Sequence, residues 1–205
     1  MFSREVPRSS ESLKIIVELG MGDGRLLNKL LEADKEADRK AANEKSQMYI
    51  GIELDRTKYE RAKSLLENFD NVKLINGSFE VLINEFPDRS IDEIISVLPD
   101  SKFIDIESQD TWENFYRVVN QKMSKHGRFL LVTELIDDLL QPVSNEAYHV
   151  WLHWIIDTFQ NLGFIPVRSN EGPPDEYESE CLERFKSDPE RIRLATFDFV
   201  KRART

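Results

Sequence analysis

The segment Glu18-Leu19-Gly20-Met21-Gly22-Asp23-Gly24 sets three of the chain's eight glycines at alternate positions behind a carboxylate. Glycine permits positive φ and lets a ligand approach the main chain with no Cβ in the way. A dinucleotide loop of the G-x-G-x-x-G type needs its third glycine at position 25, which is Arg25. A phosphate-cradling P-loop ends in Gly-Lys-Ser/Thr, and Arg25-Leu26 does not supply that. The loop is therefore suited to close approach of a ligand but wrong for both common phosphate ligands. About thirty residues later, Glu53 stands near the end of the segment YIGIELD. One carboxylate there accepts from both hydroxyls of a ribose, and hydrogen bonds to a charged group contribute roughly 1.5–3 kcal/mol. Asp55 is the alternative, but its place at a helix start suits it to capping.

A second group follows the apolar run IDEIISVL. Leu98-Pro99-Asp100-Ser101-Lys102-Phe103 is a strand end stopped by proline. Asp100 has the chemistry to orient or deprotonate an acceptor, and equally to serve as a turn residue after Pro99. Phe103 either stacks on a base or fills a core. Tyr148, His149, Trp151, His153 and Trp154 crowd one helix. Trp151 is a candidate for a substrate or dimer surface. His149 and His153 are four apart, but they have neither an HExxH pattern nor an obvious third ligand, so no metal is expected. Cys181 reads as a lone packed thiol.

Apolar periodicity supplies the elements that must position these groups. Strands are expected over 14–20, 48–54, 72–75, 91–98, 127–133, from 164 to about 167, and over 193–201. Helical spacing covers 24–33, 56–68, 79–86, 110–123 and 146–162, the last ended by Gly163 as a left-handed cap. Residues 32–45 are almost wholly polar and read as a solvated helix end and loop, and 169–180 reads as an acidic loop. Strands alternating with helices imply parallel strands joined by crossovers. The last two strands lack a long helix between them and suggest an antiparallel pair at the edge. The expected fold is α/β: a Rossmann-like, mostly parallel seven-stranded sheet with helices on both faces and an antiparallel edge strand. Ligands of such sheets bind outside the carboxyl ends of the strands, where 18–24, 53–55, 77–80, 98–103 and 133–135 fall.

Residues 18–24 together with Glu53 resemble the class I S-adenosylmethionine-dependent methyltransferases, whose first motif is an acidic residue followed by G-x-G-x-G. The order of elements is similar over nearly the whole chain. The resemblance implies S-adenosylmethionine as cofactor. Gly20, Gly22 and Gly24 would line its methionine and ribose part, Glu18 would help hold the loop and the amino group, and Glu53 would take the ribose diol. Ser78 and Phe79 would flank the adenine, although many members carry an acidic residue where Ser78 stands. Leu98 and its neighbours would face the methyl group, with Asp100 as the catalytic candidate and Phe103 and Trp151 as substrate contacts. The segment lacks the Asn/Asp-Pro-Pro-Tyr/Phe pattern of amino-group methyltransferases. Leu98-Pro99-Asp100 is similar to the Phe-Pro-Asp segment of tRNA guanine-N7 methyltransferases. Gly20 to Arg25 matches the G-x-G-D-G-R motif of ribosomal RNA adenine methyltransferases that confer aminoglycoside resistance. A base nitrogen of structured RNA, tRNA or rRNA, is the acceptor this favours. A small-molecule or protein acceptor, or a catalytically silent cofactor-binding module, is the alternative.

Composition sets limits. The 205 residues suit one domain, 1–205, with 1–12 as a short N-terminal extension. A net charge of −10 argues against nonspecific coating of nucleic acid, which depends on Lys and Arg. Residues 181–205 run the other way, with seven basic side chains against four acidic, a modest excess that suits an RNA backbone or a solvated edge and is too small to predict RNA binding by itself. One cysteine excludes a disulfide framework. No apolar run spans a bilayer, and 1–12 has no signal core, so a cytoplasmic protein without membrane partners is expected.

Overall fold

A computed structural model describes residues 13–40, 47–137, 139, 141–175 and 177–202. The extension 1–12 and part of the polar stretch after Lys40 lie outside the described residues. Seven strands form one sheet: β1 (Lys14–Leu19), β2 (Gln47–Glu53), β3 (Val72–Asn76), β4 (Ile91–Val97), β5 (Met123–Ile136), β6 (Phe164–Glu171) and β7 (Ile192–Lys201). Their order is β3-β2-β1-β4-β5-β7-β6. The first five run parallel, and β7 enters antiparallel between β5 and the edge strand β6. The helices are α1 (Arg25–Lys40), α2 (Arg56–Leu65), α3 (Phe79–Leu82), α4 (Gln109–Lys122), α5 (Asn145–Asn161) and α6 (Glu180–Lys186).

Strand alternation divides the apolar residues between two cores. Val17, Leu19, Ile94, Phe129 and Leu131 face one layer with Trp112, Tyr116 and Phe159 from α4 and α5. Ile16, Ile95, Leu130 and Val132 face the other with Leu27 and Leu31 of α1, Ala62 of α2 and Leu182 of α6. Both sheet faces are thus covered, as parallel strands require. The first layer is rich in aromatics: Phe159 lies 4.9 Å from Phe199 and 4.8 Å from Tyr116.

Several elements run longer than apolar spacing alone indicates. The first helix continues through Lys40 because its polar end is anchored: Asp34 accepts from the Tyr49 hydroxyl, and the Lys35 ammonium sits 3.7 Å over the Phe69 ring. β5 has fourteen residues, and its carboxyl end is held by β7, with Glu134 opposite Leu194 and Ile136 opposite Ile192. β6 reaches Glu171 on the same partner strand. Gly163 ends α5 at φ 91°, in the left-handed conformation expected of it.

Candidate active site

The glycine loop is fixed from below by β2. Gly20 N–H and Met21 N–H both donate to the Ile52 carbonyl, at 2.9 and 3.0 Å. Met21 is buried, and its sulfur fills the space a side chain at Gly51 would need. Gly20, Gly22 and Gly24 all have positive φ, at 73°, 60° and 83°. Their surroundings differ. A Cβ on Gly22 would meet nothing within 4 Å, so this glycine faces open space. A Cβ on Gly20 would lie 3.9 Å from the Phe79 ring. At Gly24 it would lie 2.8 Å from the Ala62 Cβ, so Gly24 lets α1 pack on α2. The lining role expected of all three glycines thus has open geometry at Gly22, while Gly24 faces protein.

Glu53 is 9% exposed and is clasped by backbone. Its Oε2 accepts from Gly22 N–H at 2.8 Å and its Oε1 from Asp55 N–H at 2.8 Å. A carboxylate has about four lone-pair sites, so each oxygen keeps one for a ligand hydroxyl. Asp55 caps α2, accepting from Thr57 N–H at 2.7 Å and Lys58 N–H at 3.0 Å. These bonds, chiefly that from Lys58, pull its carboxyl below the usual range.

Glu18 is 3% exposed, and its Oε2 has no hydrogen-bond partner. Burial, with the charges of Glu53 and Asp23 added, pushes this carboxyl well above the usual range. An orphaned buried acceptor beside an open glycine loop fits the ammonium end of an amino-acid cofactor. Glu18, Gly22 and Glu53 therefore match a nucleoside carrying an amino-acid chain.

The neighbouring strand ends complete the edge. Ser78 precedes α3, its hydroxyl only 3.5 Å from Glu80 Oε2. The Phe79 ring lies 4.8 Å from Phe103 and 5.4 Å from Phe115. Leu98 is half-buried at φ 51°, its N–H donating to Val132 O at 2.8 Å. Branched side chains rarely take this conformation, which costs about 1–3 kcal/mol. Asp100 is exposed and caps the following turn, accepting from Lys102 N–H at 3.2 Å.

The two substrate candidates differ in their surroundings. Phe103 is 5% exposed and packs against the Phe79 and Phe115 rings, with the Lys102 ammonium 4.8 Å over its own ring, so it fills the core. Trp151 is half-buried on α5, 5.7 Å from Tyr148 and 6.1 Å from Phe197, bound to the aromatic layer by its own apolar area. Cys181 is exposed on α6, not packed as expected. His153 Nδ1 lies 2.7 Å from the His149 carbonyl. Among the described residues no group of three His, Cys, Asp or Glu could hold a metal ion, and no helix is long and apolar enough to cross a membrane.

Glu134 was not singled out by spacing. It stands at the carboxyl end of β5 with Oε2 buried and unpartnered. Burial, with the Asp100 charge added, pushes it up to about 7. The available signal was its place directly after the apolar run FLLVT. Arg25, which in sequence only breaks a dinucleotide loop and closes the glycine motif, has a structural role. It bonds Asp23 at 2.9 Å and Glu183 at 2.8 Å, tying the glycine loop to α6.

No protein-family model matches the sequence, and no curated protein does. Solved structures match throughout. The 16S rRNA methyltransferase KamB superposes with a TM-score of 0.65 at 15% identity, over 94% of this chain and 90% of that one. An antibiotic-related methyltransferase gives 0.57 at 19% identity, over 96% of each chain. Geranyl diphosphate C-methyltransferase from Streptomyces coelicolor A3(2), solved with S-adenosyl-L-homocysteine, gives 0.55 at 10% identity, over 92% of this chain and 71% of that one. The chain has the fold of the class I S-adenosylmethionine-dependent methyltransferases.

Proposed function

We propose that the protein is an S-adenosylmethionine-dependent methyltransferase that modifies a base nitrogen of structured RNA, ribosomal RNA before tRNA. The observation that carries the cofactor reading is the pairing of Glu53, held by Gly22 and Asp55, with the orphaned carboxyl of Glu18. The acceptor reading is supported by the similarity to KamB over nearly the full length of both chains and by the Gly20 to Arg25 motif. A cytoplasmic location is supported by the single cysteine.

S-adenosylmethionine supplies, when bound, an electrophilic methyl group on a sulfonium. Glu53 would accept from the ribose diol with its two remaining lone-pair sites, and Glu18 would receive the ammonium group. Gly22 would leave the main chain bare to the cofactor, and Ser78 and Phe79 would border the adenine. Asp100 orients the acceptor nitrogen at the end of β4. The methyl carbon would leave the sulfonium sulfur as it joins the acceptor nitrogen, a transfer for which these residues would hold both partners. Where the nitrogen carries a proton, Glu134, at the carboxyl end of β5 and pushed up to about 7 by burial, would take it. Alignment of nitrogen and methyl supplies the rest of the acceleration.

A second reading, a small nitrogenous acceptor without phosphates, is favoured by the Asp100–Glu134 pair, which places negative charge at the acceptor end. One experiment separates the readings: methyl-tritiated S-adenosylmethionine offered with 16S ribosomal RNA, a total protein extract and a panel of small amines. Tritium in the RNA is the expected result. Tritium only in protein or amines overturns RNA as acceptor. Cofactor binding with no transfer at all leaves a silent binding module.

A further inference from the structure

The amino edge of the sheet, opposite the glycine loop, holds a cleft of about 750 Å³. Arg89, Arg117, Lys125, Lys201 and Arg202 line it, against the single carboxylate of Asp88. In a chain of net charge −10 this concentration of cations is out of keeping with the whole. Most of these charges are not consumed locally. Asp88 is taken by Lys122 at 2.9 Å and Gln121 at 2.7 Å, both outside bonds to the cleft's own cations. Arg117 is paired with Glu113 at 2.9 Å. The Lys201 ammonium is held where α4 passes into β5, at 3.3 Å from Gln121 O and 2.8 Å from Met123 O. The side chains of Arg89, Lys125 and Arg202 make no ion pair or hydrogen bond among the described residues.

The backbone supplies a second, independent observation. Arg89 sits at φ 58°, with its N–H on Gln121 O at 3.1 Å and the next N–H on Lys122 O at 2.9 Å. An arginine held in that conformation costs free energy and persists only where its surroundings impose it. Here they present the guanidinium at the cleft. The elements that converge are the turn before β4, the start of β5 and the end of β7. The basic C-terminal stretch divides: Arg193 pairs with Glu171 and Arg191 with Asp188, while Lys201 and Arg202 reach this cleft.

We propose that this cleft is a phosphate-binding site that grips the backbone of the RNA substrate on the edge opposite the methyl-transfer site. It rests on the reading of RNA as acceptor. β4 alone separates the two edges by ~20 Å at about 3.3 Å per residue, so a folded RNA contacting both is held at two points. Binding there is electrostatic and carries no base information. It offsets the repulsion of an acidic body and leaves base selection to the carboxyl edge.

The test is binding of in vitro transcribed 16S ribosomal RNA over a series of KCl concentrations, with no cofactor present. The wild-type chain is compared with a variant carrying Arg89→Gln, Lys125→Gln and Arg202→Gln. Loss of three phosphate contacts lowers the slope of log affinity against log salt by about 2–3 and weakens binding by about tenfold or more at 0.1 M salt. Affinity for S-adenosylhomocysteine is expected to stay unchanged. Equal slopes and affinities for the two proteins overturn the site. Binding of inorganic tripolyphosphate that the variant loses, without RNA binding by either protein, overturns the RNA source and leaves a site for a free phosphate compound. RNA retention through these residues without methyl transfer to that RNA sustains the site and removes RNA as acceptor, so the two readings fail separately.

Discussion

Glu53 Oε2 accepts from Gly22 N–H at 2.8 Å, joining the end of β2 to the most open point of the glycine loop. The bond holds the carboxylate and the bare main chain in one geometry before any ligand arrives. Glu53→Ala removes both the acceptor for a ribose diol and the partner of two amides. We expect S-adenosylhomocysteine to bind roughly 10–150-fold more weakly, the equivalent of about 1.5–3 kcal/mol. Isothermal titration calorimetry on the folded variant reads this directly, and an unchanged dissociation constant would remove Glu53 from the site.

Gly22 and Gly24 separate binding from folding. Alanine at either position takes on a positive φ, at a cost of about 1–2 kcal/mol. At 24 the new methyl also runs into Ala62, and overpacking adds about 1–3 kcal/mol. At 22 it enters open space. Gly24→Ala should therefore lower the melting temperature several degrees more than Gly22→Ala. Gly22→Ala should lose more cofactor affinity. Thermal unfolding and ligand titration on the same pair of variants check both halves, and the reverse ranking would exchange the two roles.

The fold was legible because the short apolar runs of β1, β2 and β4 and the helical spacing in α2, α4 and α5 are strong local signals. Ile94 and Ile95 point to opposite cores as the two-residue period requires. The carboxylates of the cofactor site were legible because Glu18 and Glu53 end apolar strands. Other features depend on contacts that no local pattern carries. The start of β5, MSKHG, is mostly polar and joins the sheet through Met123 opposite Ile91 of β4, with β7 pairing only from Arg128 onward. Phe103 looks the same in sequence whether it stacks on a base or closes an aromatic cluster. Glu134 resembles any solvated acid until the burial of its Oε2 is known.

Asp100→Ala distinguishes orientation of the acceptor from capping. The Asp100 side chain accepts from Lys102 N–H at 3.2 Å, so its loss costs the turn about 0.5–1 kcal/mol, as caps do. Asp100→Asn keeps an oxygen for the cap and loses the charge. We expect both variants to bind S-adenosylhomocysteine with nearly native affinity and to lose most methyl transfer. Native turnover in Asp100→Asn would return the residue to a purely local role.

Glu134 gives the pH dependence a sign. Burial, with the charge of Asp100 added, raises its folded pKa to about 7, against about 4.3 in an unfolded chain. Between these values the folded protein binds more protons than the unfolded one. Stability contributed by this group therefore falls as pH rises from about 4.3 to 7 and levels off above. Each unit of displacement corresponds to about 1.4 kcal/mol, so the group's share is roughly 2–3 kcal/mol after allowance for partial exposure. Buried Glu18, raised in the same direction, adds to the slope. Glu134→Gln should flatten the fall in melting temperature across that window and leave the Glu18 share in place. If Glu134 also accepts the acceptor's proton, wild-type methyl transfer rises through pH 7 as its carboxylate forms, and Glu134→Gln loses that rise. A flattened stability profile with an unchanged pH–rate profile would assign Glu134 to structure alone.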